Sequence, residues 1–224
     1  MNVDLPKGVK PNFFFPHTLR TTWIIVAFYL FGAIGIGIPS TQPFFVYLIP
    51  SVLLLSFISI LFYHDFSTHR NTIIALVSIF FVGFLIEVIG VNTHVVFGDY
   101  RYGDGLGYKL LDTPILIGIN WVLVTYCSAS VMELTKWPPS FKVIGAALLM
   151  VLYDFILEHI APILKMWTWK ENTIPLQNYA VWFIVAIVFN AFLRWLKIPA
   201  SNPIAVAIFI CQFLFFVLLL VLLN

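Results

Sequence analysis

Residues 203–223 read PIAVAIFICQFLFFVLLLVLL, a stretch without one charged side chain. A helix that crosses bilayer hydrocarbon needs roughly 20 apolar residues, so this stretch is long enough to span by itself. Upstream lie further apolar runs at about 22–38, 44–62, 72–91, 114–132, 141–161 and 179–196. Composition agrees with them. Of 224 residues, 61% are hydrophobic and 10% charged, against roughly 45–50% and about 25% in soluble domains. The runs leave little chain for a soluble domain. The expected architecture is an all-α polytopic membrane helix bundle of about seven transmembrane helices. It forms one domain over 1–224, with a polar segment at 1–21 and the bundle at 22–223.

The charges orient the bundle. Cytoplasmic loops collect Lys and Arg. With the N-terminus in the cytoplasm, that side holds Lys7, Lys10, Arg20, Arg70, Lys136, Lys142, Arg194 and Lys197. The opposite side holds only Arg101, Lys109, Lys165 and Lys170. The two longest loops, about 92–113 and 162–178, then share the non-cytoplasmic face of a bacterial-type cytoplasmic membrane. Loops of that length in a compact domain are usually functional. No small-residue cleavage site follows the first apolar run, so a cleaved signal peptide is not expected. A net charge of +2 without a basic stripe gives no reason to expect a nucleic-acid partner. Cys127 and Cys211 sit in apolar runs and read as packing residues.

Three acids fall inside the runs: Glu87, Asp154 and Glu158. Intramembrane acids are costly and usually mark function. All three lie toward the end that carries the long loops. Asp154 is the deepest, about 10 Å from that end at 1.5 Å per residue. Asp154 and Glu158 are four residues apart and share a helix face. The Lys and Arg within the runs, Lys142 and Arg194, sit at the opposite, cytoplasmic ends and do not match them, and a carboxyl in apolar surroundings can keep its proton and serve as an acid. The competing reading is a purely structural network tying helices together.

The first long loop runs from Gly90 through His94, Asp99, Tyr100, Arg101 and Tyr102 to Gly103, with Arg101 facing Asp99 or Asp104 as a partner. Thr113 reads as an N-cap and Pro114 as the first residue of the next helix. Asn120 and Trp121 follow within that helix. The second loop holds Trp167, Trp169 and Asn178. The tyrosines and tryptophans suit an interfacial belt or the wall of an apolar cleft that stabilises a cation.

Five histidines, His17, His64, His69, His94 and His159, are too few and too scattered for a histidine-box di-iron centre. Glu87, His94, Asp154 and His159 can be drawn as a single metal site, but no metal is assigned. The last span has no Lys for a retinal Schiff base, and no phosphate loop or dinucleotide fingerprint occurs, so no cofactor is expected.

Three stretches together resemble a known family. They are Gly83 to Thr93 continuing through Phe97-Gly98-Asp99-Tyr100-Arg101-Tyr102 and Leu106-Gly107-Tyr108-Lys109; Pro114 to Trp121; and Tyr153 to Glu158 followed by Trp167-Thr168-Trp169 and Pro175 to Tyr179. Their order and spacing are similar to the integral-membrane carotenoid hydratases, the gamma-carotene 1'-hydroxylase and bisanhydrobacterioruberin hydratase group. His94 stands where that pattern has Gly, and His159 where Pro often follows the acid. The resemblance implies addition of water across the terminal 1,2 double bond of an acyclic carotenoid end group, of gamma-carotene or lycopene type, giving a tertiary alcohol without a redox cofactor. It implies a carotenoid as substrate, the lipid bilayer as surroundings and other carotenoid-pathway enzymes as neighbours. On the matching positions Asp154 is the expected acid and Glu87 or Glu158 the base, with Asp99 a further candidate. Asn120, Trp121, Tyr100, Tyr102, His94, Trp167, Trp169 and Asn178 are the expected substrate-binding residues. A transporter or proton-linked carrier, a carotenoid-binding scaffold and a carotenoid end-group cyclase are the competing readings.

Overall fold

The computed structural model describes residues 17–223, so Lys7 and Lys10 lie outside the described residues. Each apolar run is helical. The elements are α1 (Thr18–Gly37), α2 (Gln42–Tyr47), α3 (Ile49–Phe62), α4 (His69–Thr93), α5 (Leu116–Glu133), α6 (Pro139–Ile160), α7 (Leu176–Trp195) and α8 (Pro203–Leu223). Six of these are long and apolar enough to cross a membrane. The all-α polytopic bundle is therefore present, with one difference in detail. The run at 44–62 is broken into α2 and α3. Pro50 has no N–H to offer the Val46 carbonyl, and a proline inside a helix breaks its ladder. The Leu48 amide turns instead to the Phe45 carbonyl at 3.2 Å.

Helix α5 is the axle of the bundle. It packs on α3, α4, α6, α7 and α8, and 78% of its apolar window is buried. Its sequence explains the position. Gly118, Ser128, Ala129 and Ser130 are small, and small residues let helices approach closely where lipid offers no hydrophobic drive for their association. Gly118 sits against α4, where an added Cβ would lie 2.8 Å from the Phe80 carbonyl oxygen. Outer faces are apolar too: Trp23, Phe31, Leu85, Val188 and Val221 are all exposed.

At one end of the bundle the ties are polar. Glu133 of α5 pairs with Lys142 of α6 at 2.8 Å and with Arg194 of α7. Asn202 caps α8 by accepting from the Ile204 amide at 3.0 Å, and its own amide donates to the Ile60 carbonyl at 3.0 Å. Nearby, His64 lies between the Tyr126 hydroxyl at 2.6 Å and the Thr72 hydroxyl at 3.1 Å.

The opposite end carries the two long loops, and they fold onto each other. Strand β1 (Tyr100–Tyr102) pairs antiparallel with β4 (Trp167–Trp169), in the register Tyr100 to Trp169 and Tyr102 to Trp167. Gly103 and Gly105 make the crossing possible. A Cβ on Gly105 would lie 2.2 Å from the Leu164 carbonyl oxygen, and the Gly105 amide donates to the Lys165 carbonyl at 2.7 Å. A second hairpin joins β2 (Lys109–Leu110) to β3 (Thr113–Pro114). This corrects the expected N-cap. Thr113 and Pro114 are strand residues because Leu111 and Asp112, both left-handed at φ 53° and 60°, turn the chain back first; α5 begins at Leu116.

Burial pushes the His64 pKa from 6.5 down to about 4. The unfolded chain takes up that proton near 6.5 and the folded chain only near 4, so stability should fall as pH drops through this window. Thermal unfolding in detergent should show a lower Tm across it, and His64→Gln should reduce the pH dependence.

Candidate active site

The β1–β4 flap obeys the period of two that strands impose. Tyr100, Tyr102, Trp167 and Trp169 are buried beneath it, while Arg101 and Thr168 are exposed above. The four inward rings pack in cross-strand pairs, Tyr100 tilted on Trp169 at 5.0 Å and Tyr102 T-shaped on Trp167 at 6.0 Å between centroids. All four carry an O–H or N–H, and all four aim it at a carboxyl of the bundle.

Glu87 of α4 accepts from the Tyr100 hydroxyl at 2.7 Å, the Tyr102 hydroxyl at 2.8 Å and the Trp121 indole N–H at 3.0 Å. Glu158 of α6 accepts from Trp167 at 2.7 Å, Trp169 at 2.6 Å and the Asn178 amide at 3.0 Å. Asn178 donates equally to Asp154 Oδ2, at 3.0 Å, and so bridges the two α6 acids. A carboxylate only accepts, and a protonated carboxyl must also donate. Glu87 and Glu158 are thus each ringed by three neutral donors. Asp154 differs. Its Oδ1 is buried without a hydrogen-bond partner among the described residues.

These groups enclose a cavity lined by Glu87, Asp154, Glu158 and Asn178 together with flap aromatics, Phe97, Ile117 and Trp182. Its volume is about 20 Å³, and a water needs roughly 10–15 Å³ on this scale. The site therefore has room for about one water beside the free Asp154 oxygen. Burial and the neighbouring Glu87 carboxyl drive the hydroxyls of Tyr100 and Tyr102 upward in pKa, so both stay protonated and serve as donors.

Of the residues expected from sequence, the three intramembrane acids, Tyr100, Tyr102, Trp167, Trp169 and Asn178 meet in this cavity. Others do not line it. Trp121 stands behind Glu87, stacked on Trp182 at 4.0 Å. Asn120 is buried on α5 outside the lining. His94 and Asp99 lie on the outer surface, 3.3 Å apart, and Lys170 reaches Asp99 at 3.0 Å. That lysine's hydrogen bond holds the Asp99 carboxyl below its ordinary value. Asp104 pairs with Lys109 at 3.1 Å; the charge of Arg101 acts on Asp99, as sequence suggested, without a close ion pair among the described residues. His159 bonds the Phe155 carbonyl of its own helix at 2.7 Å and is exposed. The drawn set of Glu87, His94, Asp154 and His159 is not assembled, and among the described residues no group of three His, Cys, Asp or Glu is arranged to hold a metal.

Sequence reading missed Phe97, Ile117 and Trp182. Trp182 carried a signal, since it lies four residues after Asn178 and so on the same face of α7. Phe97 carried none, because its inward turn depends on Gly90 across the loop, where a Cβ would lie 2.7 Å from the Phe97 ring.

Fold and site together define a class: a polytopic helical protein whose buried, uncompensated carboxyls gather beneath an aromatic flap near one end. Residues 44–224 match the family described as carotenoid biosynthesis protein, and the chain belongs to that family. The match contains every residue of the cavity. A search of curated proteins returns no match, and neither does a search of solved structures.

Gly83 admits the Trp121 ring to Glu87; its Cβ would lie 2.7 Å from that ring. Gly83→Ala should cost about 1–3 kcal/mol by overpacking, measured as a lower Tm in detergent. Gly32→Ala, whose Cβ would meet Phe215 at an ordinary 3.6 Å, should leave Tm unchanged.

Proposed function

We propose that this chain is a cofactor-independent carotenoid hydratase that adds water across the terminal 1,2 double bond of an acyclic end group. The observation that carries the reading is the contrast among the carboxyls. Asp154 presents a free, buried Oδ1 to a cavity for one water, whereas Glu87 and Glu158 each accept three hydrogen bonds and keep about one acceptor site. Neutral Asp154 gives its proton to C2 of the alkene, and positive charge develops on tertiary C1. The ring faces of the flap stabilise that charge by about 1–2 kcal/mol where water is excluded. Their O–H and N–H groups are already committed to the glutamates, so the rings need not reorganise as charge appears.

Glu158 then takes a proton from the attacking water as its oxygen bonds to C1. Proton return from Glu158 to Asp154, its neighbour one helical turn away, restores the starting state, so the net change is the addition of H₂O alone. Glu87 supplies fixed negative charge beside the cation. The end group is larger than the closed cavity, so the alkene is admitted by displacement of the aromatic wall. The flap stands on the non-cytoplasmic side of a bacterial-type membrane in this reading, with the N-terminus inside.

Two features support hydration over its rivals. A cyclase would keep water away from the cation, whereas this cavity has room for one. A carrier would need polar groups continuing across the bundle, whereas these acids cluster near one end.

Expressed in a lycopene-accumulating bacterium, the wild-type chain should yield a tertiary alcohol whose oxygen comes from labelled water. A cyclised product without oxygen, or unchanged pigment, would refute the reading. Asp154→Asn should lower conversion by about 100-fold or more, the usual share of one acid–base group, while the protein remains inserted.

A further inference from the structure

A second cavity lies in the same half of the bundle, between α1, the broken α2–α3 pair and α8. Its volume is about 120 Å³. Phe28, Phe31, Phe45, Phe215 and Phe216 supply its aromatic wall, and aliphatic residues of α1 and α3 supply much of the rest. The polar groups of the wall are engaged with one another, the Tyr29 hydroxyl with Ser56 at 2.9 Å and with the Gln212 side chain, so the surface offered is mainly hydrocarbon. Phe28 and Phe31 are themselves exposed on the outside of the bundle, which puts the mouth of the cavity on the lipid-facing surface.

Two neighbour pairs connect this space to the carboxyl site. Met166 lines the apolar cavity, and the next residue, Trp167, lines the acid one. Phe216 lines the apolar cavity and packs edge-on against Tyr153 at 5.6 Å; the next residue, Asp154, lines the acid one. The partition is thus made of Met166 and the Tyr153–Phe216 pair, and methionine is the most adaptable apolar side chain.

We propose that this apolar cavity seats an isoprenoid segment of the same carotenoid whose end group reacts at Asp154, with the rest of the polyene in the surrounding lipid. The inference rests on the carotenoid reading of the acid site. The size fits, since a dry protein cavity of about 150 Å³ accommodates benzene, and one methyl-branched five-carbon unit is about the size of that ring. The break at Pro50 supports the same assignment, because it bends the wall at Leu48 and Ile49, both of which line the cavity.

The test measures lycopene retained by the purified full-length chain, independently of its conversion. Gly32 and Val52 line opposite walls, and a Cβ on Gly32 meets nothing closer than 3.6 Å, so Gly32→Phe and Val52→Phe each fill the space. Retained lycopene should fall about tenfold or more in both, while Leu148→Phe on the exposed face of α6 retains the wild-type amount. Retention at the wild-type level in either folded filling variant overturns the proposal. For the unsubstituted chain in nanodiscs, geranylgeraniol carrying a diazirine should label residues 28–36, 45–53 or 212–216, and excess lycopene should suppress that labelling. Labelling there that lycopene does not reduce, or labelling only elsewhere, also overturns it. Retention and labelling without hydration would sink the hydratase reading and leave the cavity assignment standing. Hydration at the wild-type rate in both filling variants would do the reverse.

Discussion

Three carboxyl groups buried in an apolar bundle, with no cation paired to them among the described residues, are the constraint around which this structure is arranged. Charge in such surroundings is expensive, and the cost is met only by partners of good geometry. Here the partners are neutral. Two tyrosine hydroxyls, three indole N–H groups and one amide point at Glu87 and Glu158. Those donors come from α5, α7 and both strands of the flap. The flap is therefore more than a cover. Its aromatic side chains complete the hydrogen bonding of the bundle, and its β1–β4 register decides which acid each ring reaches.

The same arrangement separates two jobs that share one functional group. Glu87 and Glu158 each accept three hydrogen bonds, whereas Asp154 keeps one oxygen free in a space the size of a water. Identical chemistry one turn apart on α6 is thus given different surroundings by the tryptophans, which touch only Glu158, while Asn178 touches both acids. In the proposed reaction this difference is what sets the proton donor apart from the base. Glycines set the scale of the site: Gly83 lets Trp121 approach α4, and Gly90 makes room for Phe97 and the Tyr100 hydroxyl.

Polar ties divide by end. The Glu133–Lys142–Arg194 group and the Asn202 cap use charged or backbone partners to bind helix ends together, away from the acid cavity. The surface ion pairs Lys170–Asp99 and Lys109–Asp104 fasten the flap from outside. Surface pairs of this kind contribute only about 0–1 kcal/mol each, so register and ring packing, more than charge, keep the strands in place.

Much of this was legible in the chain itself. Apolar run length located the six long helices, because a bilayer-sized apolar segment has few other solutions. The rarity of intramembrane acids singled out Glu87, Asp154 and Glu158, and a spacing of four put Asp154 and Glu158 on one face. What the sequence could not decide was pairing across distance. Nothing local says that Tyr100 opposes Trp169, that Trp182 stacks on Trp121, or that Asp99 and His94 turn outward. The break at Pro50 and the hairpin at Leu111–Asp112 also displaced elements that periodicity alone would have continued. Helices follow from contacts between near neighbours along the chain, whereas a site assembled from four helices and two strands exists only once packing has fixed which donor meets which acceptor.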